Sequence, residues 1–138
     1  MNIEPHIYNE LCSYTLAHAA PSFIHQHVVD AIHAQTCTAC DRPLKLAFAL
    51  VGLYLHIEKE FTGKQVQLVH TKLARRKQSW PVFLLPQSRG AITIKDVIAA
   101  PAGAARDRMI HQWCLSVWEA FCDQRPAIIK LLTEHQIL

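Results

Sequence analysis

The stretch that decides the fold runs from residue 46 to residue 55 and reads LAFALVGLYL. It contains no charged residue, and its apolar side chains would cover every side of a helix. A helix without a polar face is a buried one, so other helices must enclose it. The uncharged run ends at Ile57 and is too short to span a bilayer, which takes about 20 apolar residues. The stretch therefore predicts a buried central helix in a soluble bundle.

Amphipathic patterns on both sides of this stretch predict further helices, because apolar residues recur every three or four positions. The predicted helices cover about residues 5–19, 21–36, 43–61, 64–77, 94–99, 110–121 and 125 onward. Asp41 is the predicted N-cap of the central helix and Thr93 that of the short one, since such side chains accept hydrogen bonds from the first free N–H groups.

The segment at about residues 79–103 interrupts the helical pattern. Pro81 ends the preceding helix, because a proline disfavours the helical conformation of the residue before it. Residues 82–86 read as extended, and the sequence Pro-Ala-Gly at 101–103 is a second break. We therefore predict an all-α fold, a single domain over residues 1–138. It is a bundle of four to five main helices with an irregular segment at about 79–103 and no sheet.

Composition places the chain among globular proteins. Of its 138 residues, 51% are hydrophobic and 18% are charged, which excludes the disordered class. The five cysteines are an odd number that cannot all pair within one chain, and free cysteines suit a reducing compartment. The N-terminal residues show no signal-peptide pattern, and the net charge of +3 attracts polyanions only weakly. We expect a cytoplasmic protein without a membrane anchor.

Histidines supply the first candidate site. Helical bundles build metal sites from inward-pointing side chains on facing helices, and imidazole with carboxylate suits a divalent transition metal such as Zn, Fe or Ni. The candidate metal ligands, on three predicted helices, are His25, Asp30, His56 and His70. His27 and His33 are candidate ligand-binding residues beside them. The plainer alternative is that these histidines lie at the surface or are hydrogen-bonded at the edge of the core.

The second candidate is a nucleic-acid surface on the fourth predicted helix. Its basic run consists of Lys72, Arg75, Arg76 and Lys77, and Trp80 follows as a stacking group. No recognition helix with base-reading side chains accompanies the run, so it predicts phosphate contacts only. Cations at a helix C-terminus also interact favourably with the helix dipole, and a solvated helix end is the plainer alternative.

The third candidate is the pair of cysteines at positions 37 and 40. A gap of two residues is typical of zinc knuckles and redox pairs. A structural zinc site needs four ligands, however, and the sequence has no second such pair. A redox pair of this kind usually lies in a βαβ unit, which the helical pattern excludes. Two unrelated thiols in a connecting loop are the plainer interpretation.

Five blocks of the chain resemble an uncharacterised bacterial domain-of-unknown-function family. The blocks are FIHQHVVDA (23–31), AFALVGLYL (47–55), LARRK (73–77) leading to Trp80-Pro81, ITIKDV (92–97) and WCLSVWEA (113–120). The resemblance covers nearly the whole chain but implies no known activity, so it gives no catalytic residue. Members of that family tend to have a histidine after the residue matching Gln35, where this chain has Thr36, and to lack the pair Cys37 and Cys40.

No enzyme motif stands out. The chain has no glycine-rich phosphate loop and no Gly-x-Ser-x-Gly elbow, and its aromatic stripe at Trp113, Trp118 and Phe121 has the spacing of a core seam. The leading hypothesis is a non-catalytic module that binds a partner or a small ligand, with a homo-oligomer as one form. The alternatives are a metal-binding protein or hydrolase-like enzyme with a His/Asp site, and a weak, non-specific nucleic-acid binder.

Overall fold

The structure is a computed structural model that describes residues 3–17, 23–76 and 79–138. Within these ranges the chain forms seven helices and no strand. They are α1 (Pro5–Ala17), α2 (His25–Thr36), α3 (Pro43–Lys59), α4 (Gly63–Ala74), α5 (Ile94–Ala99), α6 (Ala104–Ala120) and α7 (Arg125–Glu134). The all-α prediction is confirmed. The predicted number of main helices is too low, because α7, expected to be short, has 10 residues and packs on α3.

Helix α3 is the central helix that the sequence predicts. Its residues from Ala49 to Leu55 are all buried, and Leu50, Val51 and Leu53 are completely so. It packs against α2, α4, α6 and α7. Because neighbours surround it, a polar side chain that points from a neighbour toward α3 is removed from water. None of the helices described is long and apolar enough to cross a membrane.

The predicted cap of α3 is wrong, while that of α5 is confirmed. The residue before α3 is Arg42, and no side chain caps the helix. The Asp41 carboxylate instead accepts a hydrogen bond from the Thr38 backbone N–H at 2.8 Å, so it closes the turn before the helix. Thr93 is the N-cap of α5, and its backbone N–H donates to the Asp96 carboxylate at 2.8 Å.

The turn from α3 into α4 is only three residues long. Glu60 adopts the left-handed conformation (φ 57°) and so ends α3. Thr62 then caps α4: its hydroxyl accepts from the Gln65 N–H at 3.2 Å, and the Gln65 side chain accepts from the Thr62 N–H at 2.8 Å. This reciprocal pair satisfies donors that the start of a helix leaves free. The turn thereby fixes the last turn of α3 beside the first turn of α4.

The irregular segment contains α5 and is tied to the bundle by one buried glutamine. Gln35, at the end of α2, donates to the Ile92 carbonyl at 2.8 Å and accepts from Trp113 Nε1 at 3.0 Å. The Arg89 guanidinium donates in return to the carbonyls of Ala34, Gln35 and Cys37 at the end of α2. The predicted helix ends at residues 18–22 and at residue 77 lie outside the described residues.

Candidate functional site

Helix α2 carries buried polar side chains on different sides. The four buried polar residues described are Thr15, His27, Asp30 and Gln35, of which the last three belong to α2. His25, a predicted metal ligand, faces elsewhere: its Nδ1 lies 2.8 Å from the Thr15 hydroxyl oxygen of α1. The predicted set of His25, Asp30, His56 and His70 is therefore divided among separate sites.

One side of α2 faces a cavity of about 380 Å³, which we call the histidine cavity. Helices α2, α3 and α6 each contribute one imidazole to it, and the turn before α4 closes it. The lining residues are Ile24, His27, His56, Glu60, Phe61, Thr62, Asp107, Ile110 and His111.

The three imidazoles of the histidine cavity lie in contact. The rings of His27 and His56 are stacked, with centroids 3.6 Å apart and planes inclined by 15°. The ring of His111 meets that of His56 edge-on, at 5.3 Å and 88°. His27 is only 5% exposed, and its Nδ1 is buried without a hydrogen-bond partner. A buried polar atom without a partner costs about 1–3 kcal/mol, so this nitrogen is an uncompensated polar group next to the cavity.

Burial keeps the two stacked imidazoles neutral. Desolvation, together with the nearby imidazoles of His56 and His111, lowers the pKa of His27 to about 3. Desolvation and His111 lower the pKa of His56 to about 4, against a backbone hydrogen bond at Phe61 that raises it. At neutral pH each of these two rings therefore has one nitrogen that accepts and one that donates.

The charged groups of the histidine cavity are both acidic. The described residues that line it include the carboxylates of Glu60 and Asp107 but no lysine or arginine. The Tyr14 hydroxyl of α1 donates to Asp107 Oδ1 at 2.7 Å and so positions it. The guanidinium of Arg106, beside Asp107 in the chain, lies over the Tyr14 ring and donates to the carbonyls of Ile98 and Ala100. Its hydrogen bonds are thus made outside the cavity.

The Asp30 side of α2 has no comparable cavity. Asp30 is 2% exposed, its Oδ1 accepts from Gln26 Nε2 at 3.2 Å, and its Oδ2 has no partner. The Gln26 amide lies 3.5 Å from His70 Nδ1, and His70 Nε2 lies 2.8 Å from the Phe48 carbonyl oxygen. This places the His70 proton on Nε2. Burial raises the pKa of Asp30 and lowers that of His70 to about 4, so both groups are kept neutral.

The packing against Asp30 is tight. A Cβ atom on Gly52 of α3 would lie 1.9 Å from Asp30 Oδ2, so any other residue at that position would force the buried Asp30 side chain to move. Asp30 and His70 are therefore linked through Gln26, but His25 and His56 are not part of this network. In residues 3–17, 23–76 and 79–138, no three His, Cys, Asp or Glu side chains are arranged to hold a metal ion. The predicted metal site remains a prediction.

Two further candidate groups lie outside the hydrogen bonds of both sites, although His33 is close enough to His70 to lower its pKa. His33 is half-buried, and desolvation and Lys45 lower its pKa. Cys37 is buried and donates weakly to the Thr38 carbonyl, whereas Cys40 is exposed; both are free thiols. Burial raises the pKa of the Cys37 thiol, which is the opposite of what a reactive thiol needs.

The basic run forms a separate surface. Lys72, Arg75 and Arg76 are exposed and line a shallow cavity of about 350 Å³ with residues 135–137. Arg76 Nη1 lies 3.0 Å from His135 Nδ1. Trp80 is half-buried with its ring edge-on to Phe48, and Lys77 lies outside the described residues. Nucleic-acid binding by this surface remains a prediction.

Three titratable residues of the histidine cavity were not predicted from the sequence, namely Glu60, Asp107 and His111. Asp107 and His111 are four positions apart and so share one face of α6, which was a readable signal. Glu60 carried no signal, because its position depends on how α3 ends. His56 was assigned to the metal set, whereas it contacts His27 and His111.

Comparisons with known proteins agree with the resemblance seen in the sequence. The model of a family of unknown function, DUF5946, matches residues 5–122. Searches of curated proteins and of solved structures gave no significant match. The matched range includes α1 to α6, and with them every residue of the histidine cavity. The chain therefore belongs to the DUF5946 family of unknown function.

Proposed function

We propose that this domain is a non-catalytic binding module that takes a small ligand into the histidine cavity. One observation carries the proposal: three imidazoles from three helices meet at a cavity of about 380 Å³, where the buried His27 Nδ1 has no partner. The volume suits a small ligand, and apolar walls with a few polar groups are typical of such sites.

The remaining buried polar groups support this interpretation by contrast. Gln35, also on α2, is paired with Ile92 and Trp113 and has a purely structural explanation. His27 Nδ1, by contrast, has no partner that would explain its burial. The Thr62 hydroxyl, which also lines the cavity, is engaged in capping α4 and is therefore a poor nucleophile candidate. Binding without catalysis is the simplest use of this set of groups.

The test uses three probes with the same ring and different charge: benzylamine, benzyl alcohol and benzoate. Each would be titrated into ¹⁵N-labelled protein while the imidazole and backbone signals are followed. For a probe of about eight non-hydrogen atoms, a Kd on the order of 1 mM is expected. At least one probe should give saturable shifts at His56, Phe61 and His111.

Two variants make this test specific. His111→Ala removes one wall of the cavity and should weaken binding of the probe, whereas His6→Ala changes a histidine outside the cavity lining and should not. If none of the three probes binds, or if both variants behave like the wild type, the proposed site is wrong.

Metal binding is the alternative to an organic ligand in this cavity, since neutral imidazoles are good ligands for Zn²⁺. A histidine binds metal through a lone pair in its ring plane. His27 and His56 would therefore have to leave their stack before both could bind one ion. Elemental analysis of the purified protein, before and after incubation with Zn²⁺, tests this directly. Less than about a tenth of an equivalent in both samples removes the alternative.

A further inference from the structure

The histidine cavity has a feature that ligand binding in general does not explain, namely charge of one sign. The described lining residues include two carboxylates, from Glu60 and Asp107, and no lysine or arginine. The stacked imidazoles stay neutral, so they add hydrogen-bonding nitrogens without adding positive charge. A ligand that carries a positive charge would be attracted, and a negatively charged one repelled.

Two helix ends of opposite sign also lie at the cavity. His56 lies in the last turn of α3, and Glu60 ends that helix, so the negative end of the α3 dipole is at the cavity. The start of α4, which is a positive end, is also close. Its first free N–H groups, however, are partly satisfied by the capping box of Thr62 and Gln65. The α3 end is likewise partly capped, because the Phe61 N–H donates to the Leu55 carbonyl at 3.0 Å, so the two ends oppose each other and the preference rests on the carboxylates.

We propose that the ligand of the histidine cavity is a small organic cation, an ammonium group carried on a compact apolar body. This inference rests on the proposed function. The N–H groups of such a ligand can donate to the carboxylates of Glu60 and Asp107, the second of which Tyr14 positions. The apolar body can pack on Ile24, Phe61 and Ile110, which line the same cavity.

An organic cation fits this cavity better than a metal ion or an anion. It needs no rearrangement of the stack between His27 and His56, because its N–H groups can donate to the carboxylates that line the cavity and need no lone pair from both rings. An anion would meet two carboxylates and no cationic side chain among the described lining residues.

The three probes of matched shape measure this preference. Benzylamine is expected to bind about fivefold more tightly than benzyl alcohol, the effect of about 1 kcal/mol from partly exposed charges. Benzoate should bind most weakly. The series would be run on the full chain at neutral pH and low salt, and the advantage of benzylamine should shrink as salt is added.

Charge-removing variants then locate the origin of the preference. Asp107→Asn keeps an oxygen that accepts from Tyr14 but removes the negative charge, and Glu60→Gln does the same at the other carboxylate. Together they should abolish the fivefold advantage of benzylamine over benzyl alcohol. Asp123→Asn, at an exposed carboxylate outside the cavity lining, is the matched control and should change neither affinity.

The outcomes separate this inference from the proposed function. If benzyl alcohol or benzoate binds as tightly as benzylamine, the cavity is a ligand site but the cation assignment is wrong. If the charge variants weaken all three probes equally, the carboxylates have only a structural role, and the inference is again overturned. Zn²⁺ that binds at one equivalent and displaces benzylamine would replace the organic cation by a metal. Failure of every probe sinks the proposed function itself.

Discussion

The two buried sites on α2 hold unpaired polar atoms in opposite ways. His27 and Asp30 are one helical turn apart, both are buried, and each has one atom without a partner. Asp30 is enclosed by α3, where Gly52 leaves no space, and it stays neutral by keeping a proton. His27 stays neutral by losing one, and its side of the helix opens on a cavity. Burial of an unpaired polar atom therefore does not by itself indicate a ligand site. Burial next to a cavity, as at His27, does.

The largest expected effect on stability is at the Asp30 site, which we call the closed site because α3 leaves no space beside it. Gly52→Ala would place a Cβ atom 1.9 Å from Asp30 Oδ2 inside a packed helix interface. We expect a loss of about 3 kcal/mol or more in the free energy of unfolding, at the upper end of overpacking effects. Chemical denaturation measures the loss. The double variant with Asp30→Ala relieves the clash and should recover part of it, and unchanged stability of the single variant would contradict the packing described.

Acid should destabilise the protein through buried histidines at both sites, the histidine cavity and the closed site. The pKa of His27 is about 3 and those of His56 and His70 are about 4 in the folded protein, below the ordinary 6.5. As the pH falls below 6.5, the unfolded chain takes up protons that the folded one excludes. Stability is therefore complete above pH 6.5 and is lost as the pH falls, by up to about 1.4 kcal/mol per pH unit for each group.

Two variants divide this acid effect between the sites. His56→Gln acts at the histidine cavity, where the other titratable groups are His27, Glu60, Asp107 and His111. His70→Gln acts at the closed site. Each should reduce the slope of unfolding free energy against pH by the contribution of one proton between pH 6 and pH 5. A slope that neither variant changes would mean that these histidines do not stay neutral.

Asp30 should give a smaller effect of the opposite sign. Burial raises its pKa above the ordinary 3.8, so the unfolded chain releases this proton at a lower pH than the folded protein does. Its contribution to stability is therefore fully present below pH 3.8 and is lost, as a cost to the folded state, when the pH rises through the folded pKa. Asp30→Asn removes this cost while keeping an oxygen for Gln26. The variant should gain stability relative to the wild type from pH 5 to pH 8, as measured by urea denaturation. A difference that stays constant over this range would contradict a protonated Asp30.

The sequence was sufficient to predict the helices but not which side chains meet. Apolar periodicity identified α3 as the enclosed helix, because burial on all sides leaves a visible pattern. The same periodicity could not assign contacts to the polar side chains of α2, such as His27 and Asp30. Their partners come from α3, α4 and α6, and the rotation of each helix about its axis is set by packing. The Asp41 cap failed for a local reason, because the Thr38 N–H competes for the carboxylate.

The smallest expected effect on stability belongs to the residue on which the binding proposal depends most directly. His111 is exposed and contacts the stack only through the edge of its ring. Its replacement by alanine should change the free energy of unfolding by no more than about 0.5 kcal/mol, as at most surface positions. The same change removes a wall of the histidine cavity and should weaken benzylamine binding severalfold. A variant that loses stability and binding together would mean that His111 supports the fold. A loss of binding at unchanged stability would mean that His111 serves the ligand cavity, in contrast to the closed site, where the buried groups serve packing.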